Sequence, residues 1–305
     1  MPLIDPFPQL PFNSLEDFAR RLELSAKLLR DLSRESGERY RRDRQQKRDG
    51  GYRTIDEPDV ILKAVQEFVL RRVFDQIKPS PIAYAVKGRG HVAAARRHVR
   101  WKWVACDDIS DFFPSITTEV ARELFSQMGS DPELAEMLAG LLTFRGSLPQ
   151  GAPTSSTVAN FLLAAVDHRV GQAAQENKGR ATRYVDDFVY SGPDDAAIEA
   201  VREVAEKEIR SLGFNFNPKK KRTMPRNRPQ CVYGLSVNNR LSVPKRKPAE
   251  DGGLTRNKLK SDVHRAAKHG CPEKHRETLL GQIRFVSQFH PQLARKLEKQ
   301  LRSAP

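Results

Sequence analysis

The chain has 305 residues, with 53 Lys and Arg against 38 Asp and Glu, so its formal charge is +15. That length suffices for two or three packed subdomains, and a basic surplus this large points to a polyanionic partner such as nucleic acid. Three scattered cysteines (Cys106, Cys231, Cys271) exclude a disulfide framework and a zinc site. The N-terminal MPLIDPFPQLPF lacks the basic start of a signal peptide, and no apolar run reaches the ~18 residues a membrane span needs, so a cytoplasmic protein with no membrane partner is expected.

Ser14-Leu15-Glu16-Asp17 has the form of a capping box, and the spacing predicts one amphipathic helix over 14–33. Residues 34–50 (RESGERYRRDRQQKRDG) are charged without an apolar period and read as a solvated connection or a basic arm. From Pro58, the residues Ile61, Leu62, Val65, Phe68, Val69, Val73 and Ile77 recur at helical spacing. A Gly-broken basic segment, AYAVKGRGHVAAARRHVR, follows. WKWVAC (101–106) has strand character and ends at Asp107-Asp108. Helices are expected at 117–128 and 132–143, the second with Asp131 as N-cap and Pro132 at the first helical position. PQGAPTSSTVANFLLAAV is a turn leading into an apolar helix. Thr182–Val185 and Phe188–Ser191 form a hairpin with Asp186-Asp187 at its tip, and a helix near 194–212 comes next. FNFNPKKKRTM reads as a strand running into a basic turn, and CVYGLSV and RLSV flank Asn238-Asn239 as a second hairpin. Residues 256–302 are helical and basic, with a last apolar stripe in 291–301. The alternation of strands and helices predicts an α/β or α+β sheet backed by helices.

An Asp-Asp pair between two strands is by itself an ordinary turn. Two acidic strand ends in one sheet say more. Asp108, Asp186 and Asp187 converging at a sheet edge repel one another unless cations neutralise them. Hard oxygen donors select Mg²⁺ or Mn²⁺ over zinc. Two such ions ~4 Å apart clamp the attacking and leaving oxygens of a phosphoryl transfer. A basic chain with this set is a polymerase or a nuclease. Asp107 is expected on the opposite strand face, as a solvated neighbour. His98 is one of seven histidines without metal-ligand spacing, and Cys271 with His275 makes too weak a pair for a site.

CDDISDFFPSI, PQGAPTSSTVAN and RYVDDFVYSG, in that order, resemble the A, B and C motifs of reverse transcriptases. RTIDEPDVILKAVQEFVLRRVFDQI is similar to their finger segment, GFNFNPKKKRTM to motif D and CVYGLSV to the primer grip. The resemblance runs from about Arg53 to about Leu301 and implies a right-hand polymerase with fingers, a ferredoxin-like palm sheet and a helical thumb. The implied division is an N-terminal helix and basic arm (1–50), fingers (51–100), palm (101–230, with a finger insertion around 117–148), and primer grip with basic thumb (231–305). It implies that Asp108 and Asp186 hold the metals, Asp186 both of them, with the Ile109 backbone beside them and Asp187 either ligating one metal or supporting the site indirectly. The 109–111 backbone, with Ser110 and Asp111, would face the incoming triphosphate. Phe113 would lie under the sugar and exclude a 2′-OH, so that dNTPs are the substrates, while Phe112 faces inward. Gln150 and Gly151 would touch nucleotide and template. Tyr184 and Val185 would sit beneath the primer terminus, and Val232, Tyr233 and Gly234 would form the grip. Arg53, Lys87 and Arg89 are candidates for the triphosphate or for template phosphates. Lys220, within the run Lys219-Lys220-Lys221, is a candidate general acid for pyrophosphate, with a solvated turn as the alternative. His98 lies in a segment that would contact RNA. Arg256, Lys258, Lys260, His264 and Arg265 would line the thumb and hold the duplex by its phosphates.

FFPSI, QGAP and GLSV together resemble retron reverse transcriptases most. That implies a cognate structured non-coding RNA as template and primer, a 2′-OH start, a branched RNA–DNA product and a separate effector protein in phage defence. The chain departs from that pattern at two places. Ala94-Ala95-Arg96-Arg97-His98 stands where Asn-Ala-x-x-His is usual, and Val232-Tyr233-Gly234 where Val-Thr-Gly is usual. The alternatives are another defence-associated or group II intron-like reverse transcriptase, and a non-catalytic RNA-binding palm.

Overall fold

The computed structural model describes residues 8–46, 51–246 and 254–303. The Ser14 hydroxyl accepts the Asp17 N–H and opens α1 (Leu15–Leu22), as the capping pattern predicts. The expected single helix over 14–33 is in fact two. Glu23 takes φ 57° and ends α1, and Ser25 caps α2 (Ala26–Glu35). Both apolar faces turn inward, so the break redirects the chain around the core.

The expected solvated connection over 34–50 is also corrected. Tyr40–Gln46 forms β1, which pairs antiparallel with β2 (Tyr52–Pro58), while residues 47–50 of the expected arm lie outside the described residues. Both faces of the distal ribbon meet solvent, so no apolar alternation marks it. Cross-strand charge pairs support it instead: Arg42 faces Asp56 in register and donates to it at 2.7 Å, and Arg41 faces Glu57.

The chain continues through α3 (Val60–Arg72), β3 (Ala83–Tyr84), α4 (His91–Arg96), β4 (Trp103–Asp108) and the short α5 (Phe112–Ser115). Then come α6 (Thr118–Gln127), α7 (Pro132–Leu142), α8 (Ser155–Leu162), α9 (Ala164–Glu176), β5 (Arg180–Tyr184), β6 (Asp187–Gly192) and α10 (Asp195–Ser211). β7 (Arg222–Pro225), β8 (Cys231–Val232), β9 (Leu235–Ser236), α11 (Arg256–His269), α12 (Glu273–Ser287) and α13 (Pro291–Arg302) complete it. The Asp131 cap and Pro132 start of α7 are as expected.

A mixed five-stranded sheet in the order β3-β5-β6-β4-β7 carries the site. β3 runs parallel to β5 and the other pairs are antiparallel. Period-two alternation divides the sheet between two cores. Ala105, Phe188 and Tyr190 pack on one side with α1, α6, α7, α8, α9 and α10. Val104, Cys106 and Val189 pack on the other with Val232, Leu235 and the last three helices. Among the described residues no helix is long and apolar enough to cross a membrane.

Two turn readings change. Residues 214–217 make only an isolated bridge, Ile109 to Phe216, and the regular strand β7 follows the lysine turn rather than preceding it. Phe214 is drawn into the first core, which takes it out of any ladder. The tight hairpin turn is Tyr233-Gly234, both at positive φ (51° and 76°), rather than Asn238-Asn239. The Asn238 loop is closed by reciprocal Ser236–Ser242 backbone bonds of 2.8 and 3.0 Å.

Candidate active site

The alternation that sends Val104 and Cys106 to one side of β4 sends Asp108 to the same side. Across the ladder, Asp108 is in register with Asp187. The turn after β5 brings in Asp186, whose carbonyl accepts the Ile109 N–H at 3.2 Å. One carboxylate oxygen from each of Asp108, Asp186 and Asp187 lies within 4.8 Å of the others. Asp108 is buried, Asp186 half-buried and Asp187 at the rim.

Crowding raises two of these acids. Desolvation by the surrounding protein, with the Asp108 charge, pushes Asp186 up to about 6. Desolvation with the Asp186 and Asp108 charges pushes Asp187 up to about 8. The all-oxygen donor set and its mutual repulsion fit a hard divalent cation. Lys220 supplies the counter-charge, its Nζ donating to Asp108 Oδ1 at 2.7 Å. Partial burial alone would lower this ammonium, but the hydrogen bond and the charges of the three acids outweigh it and raise it. The register of the three lysines is thereby resolved: Lys221 pairs with Glu206 on α10 at 2.9 Å, and Lys220 faces the acids.

The tip of β4 is tied down by residues 215–217. Ser110 N–H donates to the Asn215 carbonyl at 2.9 Å, and Asn217 N–H to the Asp108 carbonyl at 2.8 Å. Asp111 takes φ 43° and starts α5, which buries Phe112 against Phe214 and leaves Phe113 half-buried beside it. Gln150 is linked to β2, since its carbonyl accepts the Asp56 N–H at 2.8 Å. Gly151 has φ 139°, and a Cβ there would stand 2.7 Å from the Asp56 carbonyl oxygen. Arg53 is exposed on that ribbon.

Several expected positions are corrected. Asp107 does face away from Asp108, but it is buried instead of solvated. Arg202 of α10 donates to it at 2.8 Å, and to Thr223 and the Arg222 carbonyl. Burial raises Asp107, against the pull of Arg202. The sequence signal for Arg202 was a cation inside the apolar stripe of Ile198, Val201, Ala205 and Ile209. His98 is fully enclosed and cannot touch RNA. Its ring bonds Ser191 Oγ at 2.9 Å and Thr182 Oγ1 at 2.7 Å. Burial drives His98 down to about 3, so it is neutral. Val232 is likewise inside the second core. Arg89 donates to the carbonyls of Ser80 and Ala83 within its own loop, while Lys87 is exposed and lies 3.9 Å from Asp75.

The Tyr233 hydroxyl bonds Thr182 Oγ1 at 3.0 Å and reaches the Asp187 carbonyl at 3.3 Å, while its ring lies 5.7 Å from that of Tyr184. His98, the histidine that the first departing segment retains, and Tyr233, the departing residue of the second, thus meet on the same threonine. A cavity of about 550 Å³ opens beside them, lined among others by His91, Tyr233, Gly234, Lys258 and Phe285. Lys258, Lys260, His264 and Arg265 are exposed on α11, with Arg256 half-buried at its start.

The family described as reverse transcriptase (RNA-dependent DNA polymerase) matches residues 45–240. The chain is similar to the Mx65 retron reverse transcriptase of Myxococcus xanthus, 32% identical, covering 93% of this chain and 70% of that one. It is 30% identical to the Ec86 retron enzyme of Escherichia coli, over 68% and 66% of the two chains. Against the Mx162 enzyme of Myxococcus xanthus it is 30% identical, over 84% and 59%. The sheet that pairs Asp108 with the Asp186-Asp187 turn, β3 to β7, falls wholly within the matched span. The chain belongs to the reverse transcriptases, the RNA-dependent DNA polymerases, and within them to the retron type.

Proposed function

We propose that this protein copies part of a cognate structured non-coding RNA into single-stranded DNA, priming from a 2′-OH of that RNA, in antiphage defence with a separate effector. The observation that carries the reading is the cluster of Asp108, Asp186 and Asp187, closed by Lys220, in a chain similar over 93% of its length to a retron enzyme. The three acids would hold two Mg²⁺ ions, or Mn²⁺. When bound, such ions neutralise charge on the attacking hydroxyl and the departing pyrophosphate.

The chain's own residues do the rest. Phe113 closes the space beside the sugar to a 2′-OH. Gln150 and Gly151 line the nucleotide, with Ser110, Asp111 and the Ile109 backbone along the triphosphate. Lys220 holds a proton at Nζ for the leaving pyrophosphate. Tyr184 and Val185 support the primer terminus, and Tyr233-Gly234 grips the strand behind it. Arg53 and the exposed cations of α11 meet phosphates of template and duplex. In this reading residues 51–100 are fingers, 101–230 palm and 231–305 grip and thumb, behind an N-terminal helical segment.

The test is to express the gene with its native flanking DNA, purify the protein and sequence the nucleic acid that accompanies it, beside an Asp186→Ala control. A discrete single-stranded DNA joined to one RNA, absent from the control, is the expected result. Primer extension on added RNA with dNTPs, but no such joined DNA, would assign a reverse transcriptase of another class.

A further inference from the structure

Val185 has a backbone φ of 61°. The left-handed region is strained for a β-branched residue, and Val185 stands immediately before Asp186. Something must hold it there, and the holder is Arg183. Its side chain is completely enclosed, and four of its five N–H donors are engaged. Nε and Nη2 donate to the two oxygens of Asp167 on α9, each at 2.7 Å. Nη1 donates to Asn160 Oδ1 on α8 at 2.9 Å and to the Val185 carbonyl at 2.7 Å.

A buried ion pair alone is weak evidence of stabilisation, because desolvation offsets its attraction. The informative bond is the one that leaves the pair and reaches the catalytic turn. α8 begins just after the turn that contains Gln150. One guanidinium therefore links the helix behind the nucleotide loop to the turn that carries two of the three acids. We infer that Arg183 is a positioning residue: by fixing the Val185 carbonyl it holds the left-handed turn that brings Asp186 and Asp187 to Asp108 before any cation arrives. This rests on the metal-site reading of those acids. Without the bond the turn relaxes toward negative φ, and the Asp186 carbonyl leaves the Ile109 N–H.

Arg183→Lys keeps a charge beside Asp167 but, as a point donor, cannot span Asp167, Asn160 and the Val185 carbonyl together. Mn²⁺ is titrated into the purified full-length chain without nucleotide or template, and free ion is read by electron paramagnetic resonance. The half-saturating Mn²⁺ concentration is expected to rise about tenfold or more in R183K, the scale seen when a ligand's supporting partner is lost. In primer extension kcat should fall by a similar factor while the dNTP KM changes little. Adding Val185→Gly, which adopts positive φ without strain, should recover much of the metal binding. An unchanged titration in R183K overturns the inference. So does a loss that the glycine fails to recover, since general damage to the fold gives that result. If R183K does not fold, Asn160→Ala removes one anchor and leaves the Asp167 pair, and its Mn²⁺ titration is read by the same criterion. Absence of Mn²⁺ binding in the wild-type chain, or binding retained in Asp186→Asn, overturns the metal-site reading and this inference with it. Wild-type binding beside an unchanged R183K overturns the inference alone.

Discussion

In the proposed function, Asp186 and Asp187 act only because Asp108 meets them from another strand. Asp186→Ala removes one corner of the cluster and also relieves its repulsion. DNA synthesis is expected to be lost while RNA binding persists, because the exposed cations proposed to meet phosphate lie elsewhere. Primer extension and a filter-binding titration on the same preparation check both, and loss of RNA binding would make the acids structural. Phe113 is half-buried against Phe112, so its ring has a defined position. Phe113→Ala should lower the preference for dNTPs over rNTPs by on the order of tenfold or more. Competitive incorporation assays read this directly, and unchanged discrimination would place the sugar gate at another residue.

At the scale of elements, the ribbon β1–β2 is coupled to the turn that presents Gln150. Asp56 contributes both contacts: its N–H donates to the Gln150 carbonyl, and its own carbonyl occupies the space a Cβ at position 151 would need. Gly151→Ala is therefore expected to push the ribbon off the turn. The dNTP KM should rise by on the order of tenfold or more, as small misplacements of a binding group do, with Mn²⁺ binding unchanged because the acids sit on other elements. A Mn²⁺ affinity that falls together with the KM effect would show that the disturbance spreads through the sheet. On the far side of β4, Arg202 fastens α10 to β4 and β7 at once, and so backs the strand that ends in Asp108.

For the whole molecule, the two cores meet across the sheet, and His98 is enclosed on the face of the second core, bonded to Thr182 and Ser191. Its ring is neutral in the fold, with its pKa lowered to about 3 by burial. The unfolded chain takes up a proton at this ring below about pH 6.5, and the folded chain refuses it until near pH 3. Stability should therefore fall as pH drops through that window, with about 2 kcal/mol lost from this group by pH 5. Urea midpoints at pH 7 and pH 5 test this. His98→Gln, which does not titrate, should show a smaller drop between the two pH values, and an equal drop would assign the sensitivity to other groups.

The convergence of Asp108, Asp186 and Asp187 was legible before any fold was known. The alternation Val104, Cys106, Asp108 and the pairing of two acidic strand ends are local patterns, set by a period of two residues, and they place side chains on a face wherever the strand goes. The Ser14 capping box, the Asp131-Pro132 start and most of the helices were readable because they too are local patterns. The β1–β2 ribbon was not, because a strand wet on both faces leaves no apolar period, only charge pairs that become visible once Arg42 faces Asp56. Tertiary structure alone decided which lysine meets Asp108, since that contact spans 112 positions, and that Asp107 is buried under an arginine 95 positions away. It also turned His98 from a surface candidate into a strut and gave Arg183 its three partners. Local periodicity fixes the face a residue points to. What waits on that face depends on which distant elements pack there, and burial in the two cores settles that.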